Sequence, residues 1–288
     1  MSIENLVLSR DHRGVSALRP YLPADFCERA AKHILDHPGT VLIATGFYVP
    51  SGCATETDGP LGAVALGRVI ASLGSRVMFL TDVYTAPLLR GLLGSGGEVL
   101  EFPIADHHQS WQHAADLLRS LSPSLTIAIE RCGLTAEGVY RNMRGVDVSA
   151  YHAKIDYVFR EHGCSVGIGD GGNEIGMGNL APAIPMVMPN VEQPCATRTT
   201  HLAIASVSNW GAWGIIAAMS RLRGENLLPS VREAHDLLVH AVALGAVDGT
   251  TGKRTETVDG FPIEENDRVL REMHTWLARY GVGEAVSG

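Results

Sequence analysis

The sequence of 288 residues lacks the features that mark disulfide-rich, secreted or membrane proteins. Its five cysteines are odd in number, widely spaced and without a CxxC pair, which is typical of reduced thiols in a protein core. No apolar run reaches the length of a membrane-spanning helix, and the N-terminus has no basic segment followed by a long apolar one. We therefore expect a cytoplasmic protein with no membrane partner.

Positive charge is also scarce in this sequence. Lys and Arg total 23 against 31 Asp and Glu, so the net charge is −8, and no basic run is long enough to follow a phosphate backbone. We expect no nucleic-acid partner. The sequence has no GxSxG, HExxH or Cys/His pairing, which argues against the usual esterase, zincin and thiol-protease sites. Hydrophobic residues make up 45%, so the chain can bury a large core without a disulfide or a structural metal.

What the sequence contains is an alternation of apolar runs and amphipathic stretches. The apolar runs predict strands over 40–46, 76–82, 98–104, 125–130, 164–168 and 203–207. Helices are predicted over 59–73, 86–93, 113–121, 151–162, 210–222, 231–244 and 266–280. This order predicts an α/β fold, a mostly parallel sheet with helices on both faces. We expect a single domain with a helical N-terminal extension (1–39), a sheet core (40–222) and C-terminal helices (223–288).

Polar residues follow two of these strands where the chain leaves the sheet, the edge at which parallel sheets bind ligands. The long loop after the first strand contains Glu56 and Asp58. Asp58 is also well placed to cap the helix that follows. Glu130 and Arg131 end the fourth predicted strand, where they form either a surface ion pair or part of a ligand site.

A glycine-rich segment at 167–178 has six glycines in twelve residues and carries Asp170, Asn173 and Glu174. Glycines let a backbone approach closely, and three oxygen-bearing side chains so near one another are typical of a hard-cation site. The segment also fits the dinucleotide-binding pattern GxGxxG. We reject that interpretation because Asp170 would repel a pyrophosphate and the later glycines would disrupt the helix that should receive it. A tight turn without a ligand is the other alternative.

Five carboxylates would meet if these loops lie at one edge of the sheet. They are Glu56, Asp58, Glu130, Asp170 and Glu174. Like charges in a small cleft raise one another's pKa unless a cation separates them. Because carboxylate and amide oxygens select hard ions, the predicted cofactor is Mg²⁺ or Mn²⁺.

Three segments carry a family resemblance. TGFYVPSGCATETDGPLGAVAL (45–66), IERCGLTAEGVYRNMRG (129–145) and GIGDGGNEIGMG (167–178) resemble the D-glutamate cyclase family, specifically its C-terminal-type domain. The resemblance runs from residue 40 to residue 222. It implies a Rossmann-like α/β domain, a divalent metal in an acidic cleft, and intramolecular dehydration of D-glutamate to 5-oxo-D-proline. Animal members resemble a fusion of two regions, and this chain corresponds to one of them.

In the reaction that the resemblance implies, the acidic residues take distinct roles. A metal held by Glu130, Asp170 and Glu174 would polarise the γ-carboxylate. Either Glu56 or Asp58 would accept the amine proton and later donate it to the departing hydroxide. Holding the amino group close to the γ-carboxyl carbon would supply much of the rate.

The same reaction assigns polar neighbours to the substrate. The predicted substrate contacts are Thr45, Arg131, Asn173, Ser208 and Asn209. Arg131 would bind the α-carboxylate as a bidentate partner, and Asn173 and Ser208 would orient the substrate. The alternative for Ser208 and Asn209 is that they cap the helix that follows them.

Two other functions fit the same residues. A carboxylate-held Mg²⁺ could activate water in a hydrolase of a small phosphate ester or amide. A non-catalytic module for a small acidic metabolite would keep the binding site without turnover. A small acidic metabolite is the expected partner, and a homo-oligomer is allowed for.

Overall fold

The computed structural model describes residues 1–283. Its strands are β1 (Thr40–Gly46), β2 (Tyr48–Val49), β3 (Ala54–Thr55), β4 (Arg76–Thr81), β5 (Glu98–Glu101), β6 (Leu125–Arg131), β7 (Ser165–Gly169), β8 (His201–Ile204), β9 (Thr257–Val258) and β10 (Phe261–Pro262). Its α-helices are α1 (Ile3–Val7), α2 (Phe26–Asp36), α3 (Pro60–Ser72), α4 (Ala86–Leu93), α5 (His107–Leu121), α6 (Asp156–Glu161), α7 (Ile184–Val187), α8 (Ser208–Arg223), α9 (Val231–Ala243) and α10 (Ile263–Ala278). None of the helices in this part of the chain is both long and apolar enough to cross a membrane.

The central sheet has six strands in the order β5-β4-β1-β6-β7-β8, and every pair is parallel. Numbered along the chain, this is the 3-2-1-4-5-6 order of a doubly wound, Rossmann-like sheet. The predicted α/β fold class is therefore confirmed. The strand order reverses between β1 and β6, and folds of this kind bind ligands at that switch point.

Helices cover both faces of the sheet, as the continuous apolar strands predicted. Side chains alternate between the two faces along each strand. On β1, Val41 and Ile43 belong to the larger core, which α2, α3 and α8 cover. Leu42 and Ala44 face the smaller core beneath α5 and α6.

Several predicted elements differ in extent from those observed, among them α5, which begins at His107 rather than at residue 113. β5 ends at Glu101, because Pro103 has no N–H to donate to a neighbouring strand. Within 151–162 only α6 is an α-helix. The backbone of His152 is extended instead, because its ring contacts the Val148 carbonyl and accepts a hydrogen bond from the Tyr48 N–H. β8 ends at Ile204, before the residues that lead into α8.

The N-terminal extension packs into the fold. A β-carbon at Gly214 of α8 would overlap Cγ1 of Val7, so α1 and α8 are in close contact there. The carboxylate of Asp11 then accepts hydrogen bonds from the backbone N–H groups of residues 13–16. This turn fixes the backbone of Arg13 beside the sheet.

Helices α3 and α8 begin side by side, and each receives a polar cap from the other. Asp58 accepts hydrogen bonds from the backbone N–H groups of Ser208 and Asn209, both at 2.8 Å. In return, Oδ1 of Asn209 accepts hydrogen bonds from the N–H groups of Gly59 at 3.0 Å and Gly62 at 2.7 Å. The interpretation of Asp58 as the cap of its own following helix is therefore corrected, since its carboxylate caps α8.

Asn209→Ala should lower the free energy of unfolding by about 2–4 kcal/mol, because it leaves the buried Gly62 N–H without an acceptor and the buried Thr57 carbonyl without a donor. Urea denaturation followed by circular dichroism measures the loss. The matched control is Ser230→Ala, which removes the exposed cap of α9 and should cost about 1 kcal/mol. A loss no larger than that of the control would contradict the exchange of caps.

Candidate active site

A pocket of about 440 Å³ opens at the switch point, above the carboxyl ends of β1 and β6. The register of these two strands shifts between Thr45 and Gly46. The predicted site residues in the pocket wall are Glu56, Glu130, Asp170, Asn173 and Glu174. Residues far apart in the sequence therefore share one cavity.

The three predicted metal ligands meet inside this pocket. One carboxylate oxygen from each of Glu130, Asp170 and Glu174 lies within 4.8 Å of the other two, and all three residues are buried. Asp58, Asp170 and Asp259 form a second group that is equally close. Because Asp170 belongs to both groups, they make up one acidic cluster.

A strained backbone directs Glu130 into the pocket. Its φ is +43°, in the left-handed region that non-glycine residues rarely adopt. Oγ of Ser208 donates a hydrogen bond of 2.6 Å to Oε2 of Glu130. Gly59 lies against this residue with φ +91°, and a β-carbon there would be 2.6 Å from Cβ of Glu130. A glycine is required at that position.

The glycine-rich loop surrounds the carboxylate of Glu174. The N–H groups of Gly171 and Gly172 donate to its two oxygens at 2.6 and 2.8 Å. After β7 the chain continues into this loop and a short 3₁₀-helix at Met177–Leu180, with no α-helix positioned to receive a pyrophosphate among residues 170–180. The rejection of a dinucleotide site is therefore supported by the structure.

The sequence analysis missed two members of the cluster, Arg13 and Asp259. The Arg13 guanidinium forms ion pairs with Asp170 and, at 2.6 Å, with Asp259. Arg13 comes from the N-terminal extension. The only signal for it in the sequence is the run of charged residues before Gly14. Asp259 sits in the tight turn between β9 and β10, and an Asp-Gly pair between two short apolar runs is a recognisable hairpin signal.

Arg131 lies outside the pocket, so its predicted contact with the α-carboxylate is wrong. Its guanidinium is fully buried, with Nη1 donating to Oδ2 of Asp82 at 2.7 Å and to the Gly46 carbonyl at 3.0 Å. Nη2 donates to the carbonyl of Ala153 at 2.9 Å. Arg131 therefore joins the ends of β1, β4 and β6 beneath the pocket.

Three other predicted substrate contacts do not reach the pocket wall. Asn209 uses its whole amide within the protein, since Nδ2 donates to the Thr57 carbonyl at 3.1 Å and Oδ1 caps α3. Ser208 donates its hydroxyl to Glu130. Thr45 is buried behind Gly59.

Asn173 is the predicted substrate contact that does line the pocket. Nδ2 donates to the Arg141 carbonyl at 3.0 Å, which fixes the orientation of the amide. Oδ1 is buried and has no hydrogen-bond partner among residues 1–283. A buried acceptor in this state is available to a ligand donor.

Burial is the main reason that the pKa values of these carboxyls rise. It raises the pKa of Glu56, Glu130 and Asp170 well above the ordinary range, and neighbouring carboxylates add to the effect. Burial also raises the pKa of Asp58 to about 8, against the opposing N–H groups of α8. Burial lowers the pKa of Arg13, but Asp170 and Asp259 outweigh it and raise that pKa. The cluster therefore favours additional positive charge.

The fold and the pocket define a doubly wound α/β protein with a buried acidic site at its switch point. A family model described as "D-glutamate cyclase-like, C-terminal" matches residues 3–274. The chain belongs to this family, as the sequence motifs indicated. The matched region also takes in Arg13 and Asp259, which lie outside those motifs.

The chain is similar to a curated relative, the mitochondrial D-glutamate cyclase of Homo sapiens, at 30% identity over 271 residues. The similarity covers 80% of this chain and 44% of the human protein. The chain therefore spans less than half the length of that relative.

In the metal-free protein, the free energy of unfolding should fall as the pH rises from about 7 to about 8.5. The unfolded chain has already lost its carboxyl protons in this range, whereas the folded state retains protons on groups such as Glu56 and Asp58. Since the folded state binds more protons, raising the pH destabilises it. Glu56→Gln should make the slope shallower, because an amide does not titrate. Urea unfolding in EDTA at several pH values measures both slopes.

Glu98→Gln is the control for this prediction. Glu98 is exposed, and its hydrogen bonds from Arg76 lower its pKa, so it titrates below the tested range in both states. The slope of this variant should equal that of the wild type. A slope unchanged by Glu56→Gln would show that Glu56 carries no proton in the folded protein.

Proposed function

We propose that the chain is a metal-dependent lyase of the D-glutamate cyclase type, which closes D-glutamate to 5-oxo-D-proline with loss of water and uses Mg²⁺ or Mn²⁺. The observation that carries this proposal is the meeting of Glu130, Asp170 and Glu174 within 4.8 Å. They meet in a pocket of about 440 Å³, a volume in the range of sites for small ligands.

The residues present fit a divalent cation. Oδ1 of Asp170 pairs with Arg13, but Oδ2 is buried and has no partner within the described part of the chain, which is an unfavourable state for a carboxylate oxygen with no further ligand. Oxygen is the ligand atom of all three acids, which suits Mg²⁺ and Mn²⁺. Glu174 is held by two N–H groups and Glu130 by a hydroxyl, in the way that outer hydrogen bonds orient metal ligands. Glu130, Asp170 and Glu174 would therefore hold the ion.

A bound divalent ion would supply Lewis-acid polarisation of the substrate γ-carboxylate. Glu56 suits the proton transfer better than Asp58, because Glu56 lines the pocket whereas the oxygens of Asp58 accept the N–H groups of α8. Burial raises the pKa of Glu56 well above its usual value. A raised pKa makes the ionised carboxylate of Glu56 a stronger base, which can take one proton from the α-ammonium and return it to the leaving oxygen. The second proton that the nitrogen loses in forming the amide also goes to that oxygen, which leaves as water.

Arg13 takes the role that the sequence analysis gave to Arg131. It lines the pocket, and the N–H groups of its guanidinium that do not face Asp170 and Asp259 can pair with the substrate α-carboxylate. The unpaired Oδ1 of Asn173 can accept a hydrogen bond from the α-ammonium. These two contacts would hold the amino group near the γ-carboxyl carbon, as ring closure requires.

Formation of 5-oxoproline from D-glutamate, L-glutamate and D-glutamine, followed by mass spectrometry with added Mg²⁺ or Mn²⁺, tests the proposed function. We expect turnover of D-glutamate that EDTA abolishes. Phosphate release from a phosphoester panel without 5-oxoproline would identify a hydrolase instead. Tight ligand binding with no turnover would identify a binding module.

Asp170→Asn and Glu174→Gln should each weaken Mn²⁺ binding by more than about tenfold without unfolding the protein, because each removes a charged ligand. Isothermal titration calorimetry measures the affinity. Asp147→Asn changes an exposed acid outside the pocket and should bind as the wild type does. Unchanged affinity in both site variants would remove the ion from the glycine-rich loop.

Glu56→Gln should lower kcat for D-glutamate by about 10²–10⁴-fold, the usual effect of removing a general acid or base. Mn²⁺ should still bind, since Glu56 is not among the three proposed ligands. Steady-state kinetics at saturating Mn²⁺ provides the measurement, with Glu98→Gln as the control that keeps the wild-type rate. Full activity in Glu56→Gln would transfer the proton-carrying role to another group.

A further inference from the structure

A second cluster of metal-ligating side chains lies at the edge of the sheet opposite the acidic pocket. His33 is in the last turn of α2, His37 directly follows that helix, and Cys164 directly precedes β7. One ligand atom from each lies within 4.8 Å of the other two. The chain runs from Cys164 along β7 to Asp170, so the two clusters are about 20 Å apart at ~3.3 Å per residue.

The distances in this cluster suit a single tetrahedral ion. With the usual Zn–S and Zn–N bond lengths, a sulfur and a nitrogen ligand of one zinc ion lie about 3.6 Å apart. Sγ of Cys164 is 3.2 Å from Nε2 of His33, which is close to that value. The ring centroids of His33 and His37 are 4.3 Å apart. Small side-chain rotations would bring the three residues around one ion.

The hydrogen bonding of His37 prepares it as a ligand. Its Nδ1 lies 2.7 Å from the backbone carbonyl of His33, and a carbonyl only accepts, so Nδ1 carries the proton. Nε2 therefore keeps a lone pair when the ring is neutral. Metal-bound imidazoles usually have an outer hydrogen bond of this kind. His201, at the start of β8, packs against His33 with ring centroids 4.6 Å apart and places another imidazole beside the group.

We propose that His33, His37 and Cys164 bind a Zn²⁺-type transition-metal ion, with His201 or water as the fourth ligand. Thiolate and imidazole ligands select such an ion, whereas the oxygen ligands of the acidic pocket select Mg²⁺ or Mn²⁺. All four side chains are half-buried, so an ion can reach them from solvent. The ion would link the end of α2 to the amino ends of β7 and β8, which makes its role structural and separate from the proposed chemistry.

Co²⁺ tests this site, because ligation by a thiolate gives Co²⁺ a sulfur-to-metal charge-transfer band in the near ultraviolet. The full chain is titrated with Co²⁺ in excess Mg²⁺, which fills the carboxylate site, and Zn²⁺ is then added. We expect the band to saturate at a single Co²⁺ per chain and to disappear as Zn²⁺ replaces it. Cys164→Ser should abolish the band, and His33→Gln should weaken Co²⁺ binding by more than about tenfold.

Two matched controls change the same residue types elsewhere. Cys53→Ser removes an exposed thiol and His240→Gln an exposed imidazole, and both variants should keep the band and the affinity. Circular dichroism establishes that each variant is folded. Absence of the band in the wild type, or its survival in Cys164→Ser, would mean that Cys164 and His33 share only a hydrogen bond and would overturn the site. Neither result bears on the proposed cyclase, because no residue of the acidic pocket is changed.

Discussion

Keeping several carboxylates together in a buried pocket is the constraint on which the rest of this structure depends. The acids concerned are Glu56, Asp58, Glu130, Asp170, Glu174 and Asp259. Removing a carboxylate from water is unfavourable, and grouping like charges adds repulsion to that cost. The fold offsets both with fixed donors, namely the N–H groups of the glycine-rich loop, the first turn of α8, and the guanidinium of Arg13. The proposed divalent cation would add further positive charge to this cluster.

The two helices at the switch point explain why polar residues near an active site need not touch substrate. Asp58 and Asn209 exchange caps between α3 and α8, which leaves the positive end of the α8 dipole facing the acidic cluster. Arg131 directly follows Glu130 in the sequence. Its guanidinium nevertheless donates its hydrogen bonds to Asp82 and to two backbone carbonyls rather than to the pocket. In each case the polar group satisfies a buried partner whose loss would destabilise the loops that carry the acids.

The N-terminal extension and the hairpin before α10 also contribute to the site. Arg10 forms ion pairs with Glu265 and, at 2.9 Å, with Glu272, so α10 holds the segment that carries Arg13. The hairpin before α10 supplies Asp259. This agrees with a family match that runs from residue 3 to residue 274 rather than stopping at the sheet. The N-terminal extension is thus part of the pocket wall.

The sequence by itself determined the α/β class and most strands, because hydrophobic periodicity and composition are local properties. It also determined the three acids that meet in the pocket, because parallel strands end at one edge of the sheet. Only the tertiary structure decided which polar side chains face the cavity. Arg131 turns away from it while Arg13 enters from far along the chain. No local pattern encodes that choice, because it depends on backbone strain at Glu130 and on which buried donor finds which acceptor.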